Sequence, residues 1–404
     1  MARSGTTSSP HASIILSPLT RLVHKDGAPW IERRDTLRGI ALTSETSEAL
    51  AGFQVPVPLA SVGSRGEAPR RMVEALTELG LLVAAPQLLR RARICLVTTV
   101  REPGASFRQF VAYHVAIGIE HVYAFIDSPD SQDWAAMQSL PQVTALRGSS
   151  PSDPPESDPR LALIRSEIRR EVMARQILNV ERALPLAREA GFDWLLHLDV
   201  DELFGCPDAR AHFDAIPADV GVVHYLNLEG VPEVLDSSDV FRDTQLFKLN
   251  SRMLPDGVID RWLSEHRRKW HFLAYANGKA AVRVAPGARS KGVHSFVPPD
   301  AHAEVLEFNL SPVVLHYAHG SLSQFMLKYR HRGSFSDYHF GRTASPRLEF
   351  HRLSRDVVAS GDSSAIEAWY RQHVLFDRAD DRNDLLEAGL ARAVPTPSAI
   401  LAGA

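Results

Sequence analysis

The chain has 404 residues, 45% of them hydrophobic and 23% charged, and a formal net charge of −3. At roughly 100–200 residues per domain this length predicts about two or three domains, and the composition excludes wholesale disorder, collagen-like repeats and coiled coil. The charge balance gives no global signature of nucleic-acid or anionic-membrane binding, and no apolar run approaches the roughly 20 residues of a membrane-spanning helix.

Two cysteines, Cys95 and Cys206, are too few for a disulfide framework or a cysteine-based zinc module. Each sits beside apolar sequence, so both read as buried thiols. The N-terminal stretch has one early Arg and a very short apolar run, Ile14 to Leu16. That is not a signal-peptide pattern, and the expectation is a cytoplasmic protein.

Residues 1–20, rich in Ser, Thr and Pro, read as a flexible tail. Residues 21–90 read as a small N-terminal module. Thr43-Ser44-Glu45-Thr46 predicts a helix start with Thr43 or Ser44 as N-cap. Met72, Val73, Leu76 and Leu79 have helical spacing, Gly80 ends that helix, and Leu81-Leu82-Val83 resumes as a short apolar run. Helix, loop, helix and short strand fit a winged-helix-like module. An irregular extension packed on the main domain is the alternative.

From Arg93 the pattern changes. Ile94 to Val100 is β-branched and apolar, which predicts a buried parallel strand. Phe107 to Ile117 predicts a helix with Phe107, Phe110, Val111, His114 and Val115 on one face, closed by Gly118. His121 to Ile126 predicts a second strand and Val143 to Leu146 a third. Residues 148–160 form a Pro/Ser/Asp loop. Leu161 to Ala190 reads as one long helix, kinked or broken at Pro185. Trp194 to Leu198 then predicts a strand running into Asp199-Val200-Asp201-Glu202. Alternating strands and helices indicate an α/β domain with a mostly parallel sheet, whose ligands bind at the carboxyl ends of the strands.

The strongest chemical signal is Asp199-Val200-Asp201. Two carboxylates two apart in extended chain point to the same side, roughly 6–7 Å apart at the backbone. Together they can address one hard divalent cation, which keeps positions open for substrate oxygens. An isolated D-x-D is also a common polar strand end. This one follows a buried-looking strand inside an α/β pattern and has Glu202 beside it.

The segment Phe192 to Phe204, FDWLLHLDVDELF, resembles the D-x-D region of GT-A-type glycosyltransferases, within them the family 92 and related family 2 groups. Further segments carry the resemblance in order. They are Val100-Arg101-Glu102-Pro103, with Arg101 where the family usually has Asn, then Phe110 to Gly118 with Tyr113-His114, and the strand ending at Asp127. Gln176 follows on the helix before the D-x-D, then Leu315-His316-Tyr317, and Lys328-Tyr329 with Gly333 to Asp337. The match spans about residues 93–345. It implies a GT-A-like domain over 91–345, with residues 346–404 as a C-terminal helical extension.

The resemblance also implies roles. Asp199 and Asp201 address Mn²⁺ or Mg²⁺, with His316 as third protein ligand; His319 and His294 are the competing histidines. Lys328 neutralises the leaving diphosphate as a point charge, with Arg330 and Arg332 as alternatives. Thr99, Arg101, Glu102, Asp127, Gln176 and Asp199 contact the nucleotide, UDP by resemblance. Residues 205–300 form the acceptor side, where Asn227 to Glu233 and Phe247 to Asn250 are polar breaks in apolar sequence. An inverting transferase needs a general base, and Glu229, Glu233, Asp260 and Glu265 are candidates that the sequence does not separate.

The absence of G-x-G-x-x-G after a strand, of a P-loop, of H-E-x-x-H and of G-x-S-x-G removes support for dinucleotide, P-loop, zincin and α/β-hydrolase readings. Asn309-Leu310-Ser311 fits a glycosylation sequon but precedes Pro312 and is discounted. Beyond residue 345 the sequence predicts a helix from Ser363 to Val374 and a frayed end from Pro395; this tail packs under the sheet or mediates homo-oligomerisation. The expected activity is metal-dependent transfer of a hexose from a nucleotide diphosphate sugar to a glycan, peptide or small-molecule acceptor. The alternatives are a nucleotidyltransferase, a metal-dependent phosphohydrolase and a non-catalytic sugar-nucleotide-binding protein. A winged-helix-like N-terminal module would bind a peptide or carrier and deliver the acceptor.

Overall fold

A computed structural model describes residues 13–63, 67–86, 90–101, 104–127, 131–153, 157–331, 338–339, 342–343 and 349–403. The N-terminal part is richer in strands than the sequence predicts. It comprises β1 (Ser13–Leu16), β2 (Thr20–Lys25), β3 (Ala28–Arg33), β4 (Gly39–Ala41), α1 (Ser44–Ala51), β5 (Val57–Pro58), α2 (Leu59–Gly63), α3 (Glu67–Glu78) and β6 (Leu82–Ala84). β1 lies between β5 and β6, and β2, β3 and β4 form an antiparallel meander. The run Ile14-Ile15, read as part of a tail, is therefore a central strand with both side chains buried. Three residues are too short for a periodicity argument, which is why the strand escaped detection. Thr43 caps α1 by accepting from the Thr46 N–H. Val73, Leu76, Leu81 and Leu82 close a separate apolar core with Ile14, Ile31 and Phe53.

The central sheet begins with β7 (Ile94–Val100), followed by α4 (Ala105–Ala116), β8 (His121–Ile126), α5 (Ser131–Gln138), β9 (Val143–Arg147), α6 (Pro159–Ser166), α7 (Val172–Glu189) and β10 (Trp194–His197). The expected long helix is two helices, broken at residues 167–171, while Pro185 lies inside α7. The chain continues through β11 (Glu202–Gly205), α8 (Ala209–Ala215), β12 (Val220–Tyr225), β13 (Asn227–Gly230), α9 (Val240–Asp243), β14 (Leu246–Lys248), α10 (Val258–Glu265), β15 (Lys279–Arg283), β16 (Arg289–Ser290), β17 (Phe296–Val297), β18 (Glu304–Phe308), β19 (Val313–His316) and α11 (Leu322–His331). After the short ribbon β20 (Tyr338–His339) and β21 (Arg342–Thr343) come α12 (Glu349–Ala359), α13 (Ser363–His373), α14 (Ala379–Glu387), β22 (Ala391–Ala393) and α15 (Thr396–Gly403).

Seven strands form the central sheet in the order β18-β12-β15-β10-β7-β8-β9. Pairing is parallel from β10 through β9 and between β12 and β18, and antiparallel on both edges of β15. The expected mixed α/β architecture with a mostly parallel sheet is what the structure shows. A second sheet, β11-β19-β13-β14-β22, leaves the first where the chain runs from β10 into β11. Burial of both faces explains the unbroken apolar runs of β7 and β10. Cys95 and Cys206 are buried free thiols.

The C-terminal segment is woven into this frame. β22 is an edge strand of the second sheet, and α12 and α13 pack with α11 through Phe325, Tyr329, Phe350 and Tyr370. The end expected to fray is α15, with Leu401 buried and its carbonyl held by Arg242. At the other junction Asn309, the discounted sequon residue, pairs with both the N–H and the C=O of Leu22. Asn309→Ala should leave both backbone groups unpaired, at about 1–3 kcal/mol each. Hydrogen exchange should then quicken in β2–β4 with little change in β7–β10; equal quickening in both would show that the junction is not a local hinge point.

Candidate active site

In an open α/β sheet, ligands bind outside the carboxyl ends of the strands where the strand order reverses. Here the chain leaves β7 through α4 to β8 and β9 on one side, then returns through α7 to β10 on the other. The topology therefore points to the ends of β7 and β10, at Val100-Arg101 and at His197 to Asp201, as the place for a ligand. Two hydrogen bonds from α4 fix β11, which follows the Asp199–Asp201 turn. Tyr113 donates to the Phe204 carbonyl at 2.9 Å, and His114 Nε2 accepts the Phe204 N–H at 3.2 Å. Burial holds the His114 imidazole neutral, at a pKa of about 3.

Asp199 is held on both oxygens. Gln176 Nε2 donates to Oδ1 at 2.5 Å, and Lys279 Nζ to Oδ2 at 2.8 Å. Lys279 is wholly buried at the head of β15 and also lies 3.7 Å from Glu202 Oε2. Burial raises the Asp199 carboxyl and lowers the Lys279 ammonium, but their mutual attraction wins on both sides, so both stay charged. Burial pushes the Glu202 carboxyl well up, against a smaller pull from Lys279. Glu202 Oε2 accepts the Asp199 N–H at 2.8 Å and so tightens the D-x-D turn.

Asp201 is the more open carboxylate, its side chain 37% exposed. Lys328 Nζ sits 2.9 Å from its Oδ2 and donates also to the Ala318 carbonyl at 2.8 Å. His316 Nε2 lies 3.6 Å from the same oxygen. Burial raises the Asp201 carboxyl, but Lys328 and then His316 more than offset it and hold the group well below the usual range.

Across the second sheet, backbone register aligns Glu202, His316, Glu229 and Lys248 in one row. Glu229 forms a buried ion pair with Lys248 at 2.6 Å and accepts the N–H groups of Leu273 and Ala274. Lys248 also donates to the His271 carbonyl. Asn227 bonds the Tyr275 carbonyl and the Gly278 N–H, and Asn250 bonds the Ala276 carbonyl. These polar breaks in β13 and β14 thus clamp loop 271–278. Gly278 ends the loop at φ +70°, where a Cβ would lie 2.0 Å from the Tyr225 carbonyl oxygen. The clamp sets the Tyr275 ring 4.8 Å from His316 and 4.4 Å from His294.

Asp199, Asp201, Gln176, His316 and Lys328 therefore meet in one cluster. Thr99 and Asp127 stand at neighbouring strand ends, bonded by Asn179 at 2.9 Å and ion-paired with Arg175 at 2.6 Å. Arg101 is exposed at the end of β7, and Glu102, Arg332 and residues 333–337 lie outside the described residues. His294 is nearby and bonded to the Gly278 carbonyl, with burial lowering its pKa to about 4. His319 packs instead among Phe325, Tyr329 and Phe350, and Arg330 is exposed on α11. Glu229, the first of the base candidates, spends its contacts on the clamp. Glu233 faces Arg382 at 3.4 Å, and Asp260 and Glu265 are exposed on α10. No hydrogen bond or ion pair joins these three to the cluster among the described residues. Sequence reasoning missed Lys279 and Tyr275. The usable signal for Lys279 was a charge opening the apolar run Lys279 to Val282, since a buried lysine needs a partner.

No family model matches the chain. It is similar to two plant proteins of Arabidopsis thaliana. Glycosyltransferase-like At2g41451 is 26% identical over 327 residues, which is 77% of this chain and 72% of that protein. Glycosyltransferase-like At3g57200 is 25% identical over 328 residues, 77% of this chain and 63% of that protein. The chain is thus a distant relative of plant glycosyltransferase-like proteins and spans less than two thirds of the second one's length. A solved 4-diphosphocytidyl-2C-methyl-D-erythritol synthase aligns over 37% of this chain and 64% of its own, at 14% identity and a TM-score of 0.19. That likeness is too weak to carry argument. No helix among the described residues is long and apolar enough to cross a membrane.

Removing one partner of a buried ion pair costs about 3–5 kcal/mol. Lys248→Met should lose that much in denaturant unfolding, and adding Glu229→Leu should restore part of it. The Glu229 carboxyl is raised by burial, but Lys248 and the loop N–H groups outweigh this and hold it below its ordinary value of 4.5. Its stabilisation is therefore present above about pH 4.5 and lost as pH falls through the lower folded value. An acid titration of Glu229→Gln should lack that component; an unchanged profile would refute the clamp's charge.

Proposed function

We propose that this protein is a glycosyltransferase with a GT-A-like sheet. It moves a hexose from a nucleotide diphosphate sugar, with UDP the favoured nucleotide, to a hydroxyl of a glycan, peptide or small molecule. The observation that carries the reading is the cluster of Asp199, Asp201, His316 and Lys328 at the carboxyl end of β10, where the strand order reverses. The distant plant glycosyltransferase-like relatives support it.

Among the described residues no three His, Cys, Asp or Glu side chains stand as a ready-made cation cage. Asp201 and His316 nevertheless fit one divalent cation. Their donor atoms lie 3.6 Å apart, close to the separation of two ligands on one ion, and Asp201 faces solvent. When bound, Mn²⁺ or Mg²⁺ supplies Lewis-acid stabilisation of the departing diphosphate. The protein's own groups do the rest. Asp199, immobilised by Gln176 and Lys279, is a preorganised acceptor. Thr99, Arg101 and Asp127 flank it with polar groups for base and ribose. Lys328 places an ammonium beside the diphosphate. Loop 271–278 sets Tyr275 beside His316 on one side of the cluster. Inversion needs a base, and Glu233, Asp260 and Glu265 are the remaining candidates of the original four.

Melting temperatures with UDP, GDP, CMP or ADP, each with and without Mn²⁺, test the reading. A ligand at about 100 times its Kd adds roughly 2.7 kcal/mol. One diphosphate should raise the melting point only with Mn²⁺, and Asp201→Ala should abolish the shift. No shift with any nucleotide would overturn the reading. Alanine at the true base should abolish transfer and spare this nucleotide shift; full activity of all three variants would remove the set.

A further inference from the structure

Two lysines meet the D-x-D carboxylates, and the fold treats them differently. Lys279 is wholly buried on the central sheet, between Asp199 and Glu202, with its ammonium also over the Tyr275 ring. Lys328 is 19% exposed on the side of α11, beside the open carboxylate Asp201. Its second bond is to the Ala318 carbonyl, a neutral acceptor that can retain the ammonium when the first is broken. Asp199 and Asp201 are thus matched by two ammonium groups. A dication arriving alone finds its Asp201 ligand already engaged by the Lys328 ammonium.

We propose that Lys328 is an exchangeable counter-ion that couples cation and diphosphate binding: it occupies Asp201 in the empty site and transfers to the diphosphate when a divalent cation takes Asp201. The inference rests on the transferase reading only in naming a diphosphate as the second ligand. Each ligand alone must break the Lys328–Asp201 pair without replacing what it loses. Bound together they give Asp201 a cation and Lys328 an anion, so the two affinities rise reciprocally.

Titration of the full chain with Mn²⁺, reading free Mn²⁺ by electron paramagnetic resonance, tests this without reference to turnover. It is run alone and with UDP or GDP, corrected for the Mn²⁺–nucleotide complex measured without protein. In wild type, the nucleotide should tighten Mn²⁺ by about tenfold or more. In Lys328→Met, Mn²⁺ alone should bind several-fold tighter than in wild type, and nucleotide should tighten it far less. Lys328→Arg, which keeps the charge, should retain most of the coupling. A circular-dichroism melt confirms that each variant is folded, and Lys328→Gln replaces the Met variant if that one is not. Unchanged or weaker Mn²⁺ binding by the neutral variant overturns the exchange. If wild-type coupling persists in that case, the transferase reading stands. Absence of Mn²⁺ binding in wild type with both nucleotides overturns both.

Discussion

Everything at the candidate site depends on one buried ammonium. The turn after β10 places Asp199 and Glu202 beside each other in a region with little water, where two negative charges would repel and lose hydration. Lys279 resolves this from the neighbouring antiparallel strand, at 2.8 Å from Asp199 and 3.7 Å from Glu202. Its pull keeps Asp199 ionised, while burial, with Asp199 and Asp201 nearby, pushes the Glu202 carboxyl up against the same pull. Asp199 then has a fixed orientation, and the turn that carries Asp201 follows from it.

The second sheet extends the same logic outward. Glu202, His316, Glu229 and Lys248 occupy successive strands in register. Apolar residues there would pack at lower cost than charged ones. The row instead anchors loop 271–278, and through it Tyr275, against His316. Several buried polar atoms around this loop have no partner among the described residues: His316 Nδ1, Tyr275 Oη, His197 Nε2 and Glu202 Oε1. Unsatisfied groups of this kind are rare in a packed interior, and their concentration near Asp199 and Asp201 sets the cluster apart from ordinary core.

The sequence showed the carboxyl end of β10 clearly because three signals coincided there: an apolar strand, two carboxylates at strand spacing, and an α/β alternation. It showed His316 and Lys328 only through resemblance, since neither has a local pattern. Lys279 was silent because its meaning lies in pairing across β10 and β15, which are some 80 residues apart. The polar breaks at 227–233 and 247–250 were visible, but not their purpose. Nothing local in the sequence reveals that Lys248 and two loop N–H groups surround Glu229, so it could not be separated there from the other three base candidates. Short elements failed for a different reason. β1 and α15 are too brief for periodicity to register, and tertiary packing decides them.

The fate of the buried acids constrains any base-catalysed step. Asp199 is committed to Gln176 and Lys279, Asp201 to Lys328 and His316, and Glu229 to its clamp; Glu202 favours the neutral form. None of these described carboxylates is free to take a proton from an acceptor hydroxyl without dismantling the support of the site. A carboxylate base among the described residues would therefore have to stand outside this network, on the solvent-facing rim, as Glu233, Asp260 and Glu265 do.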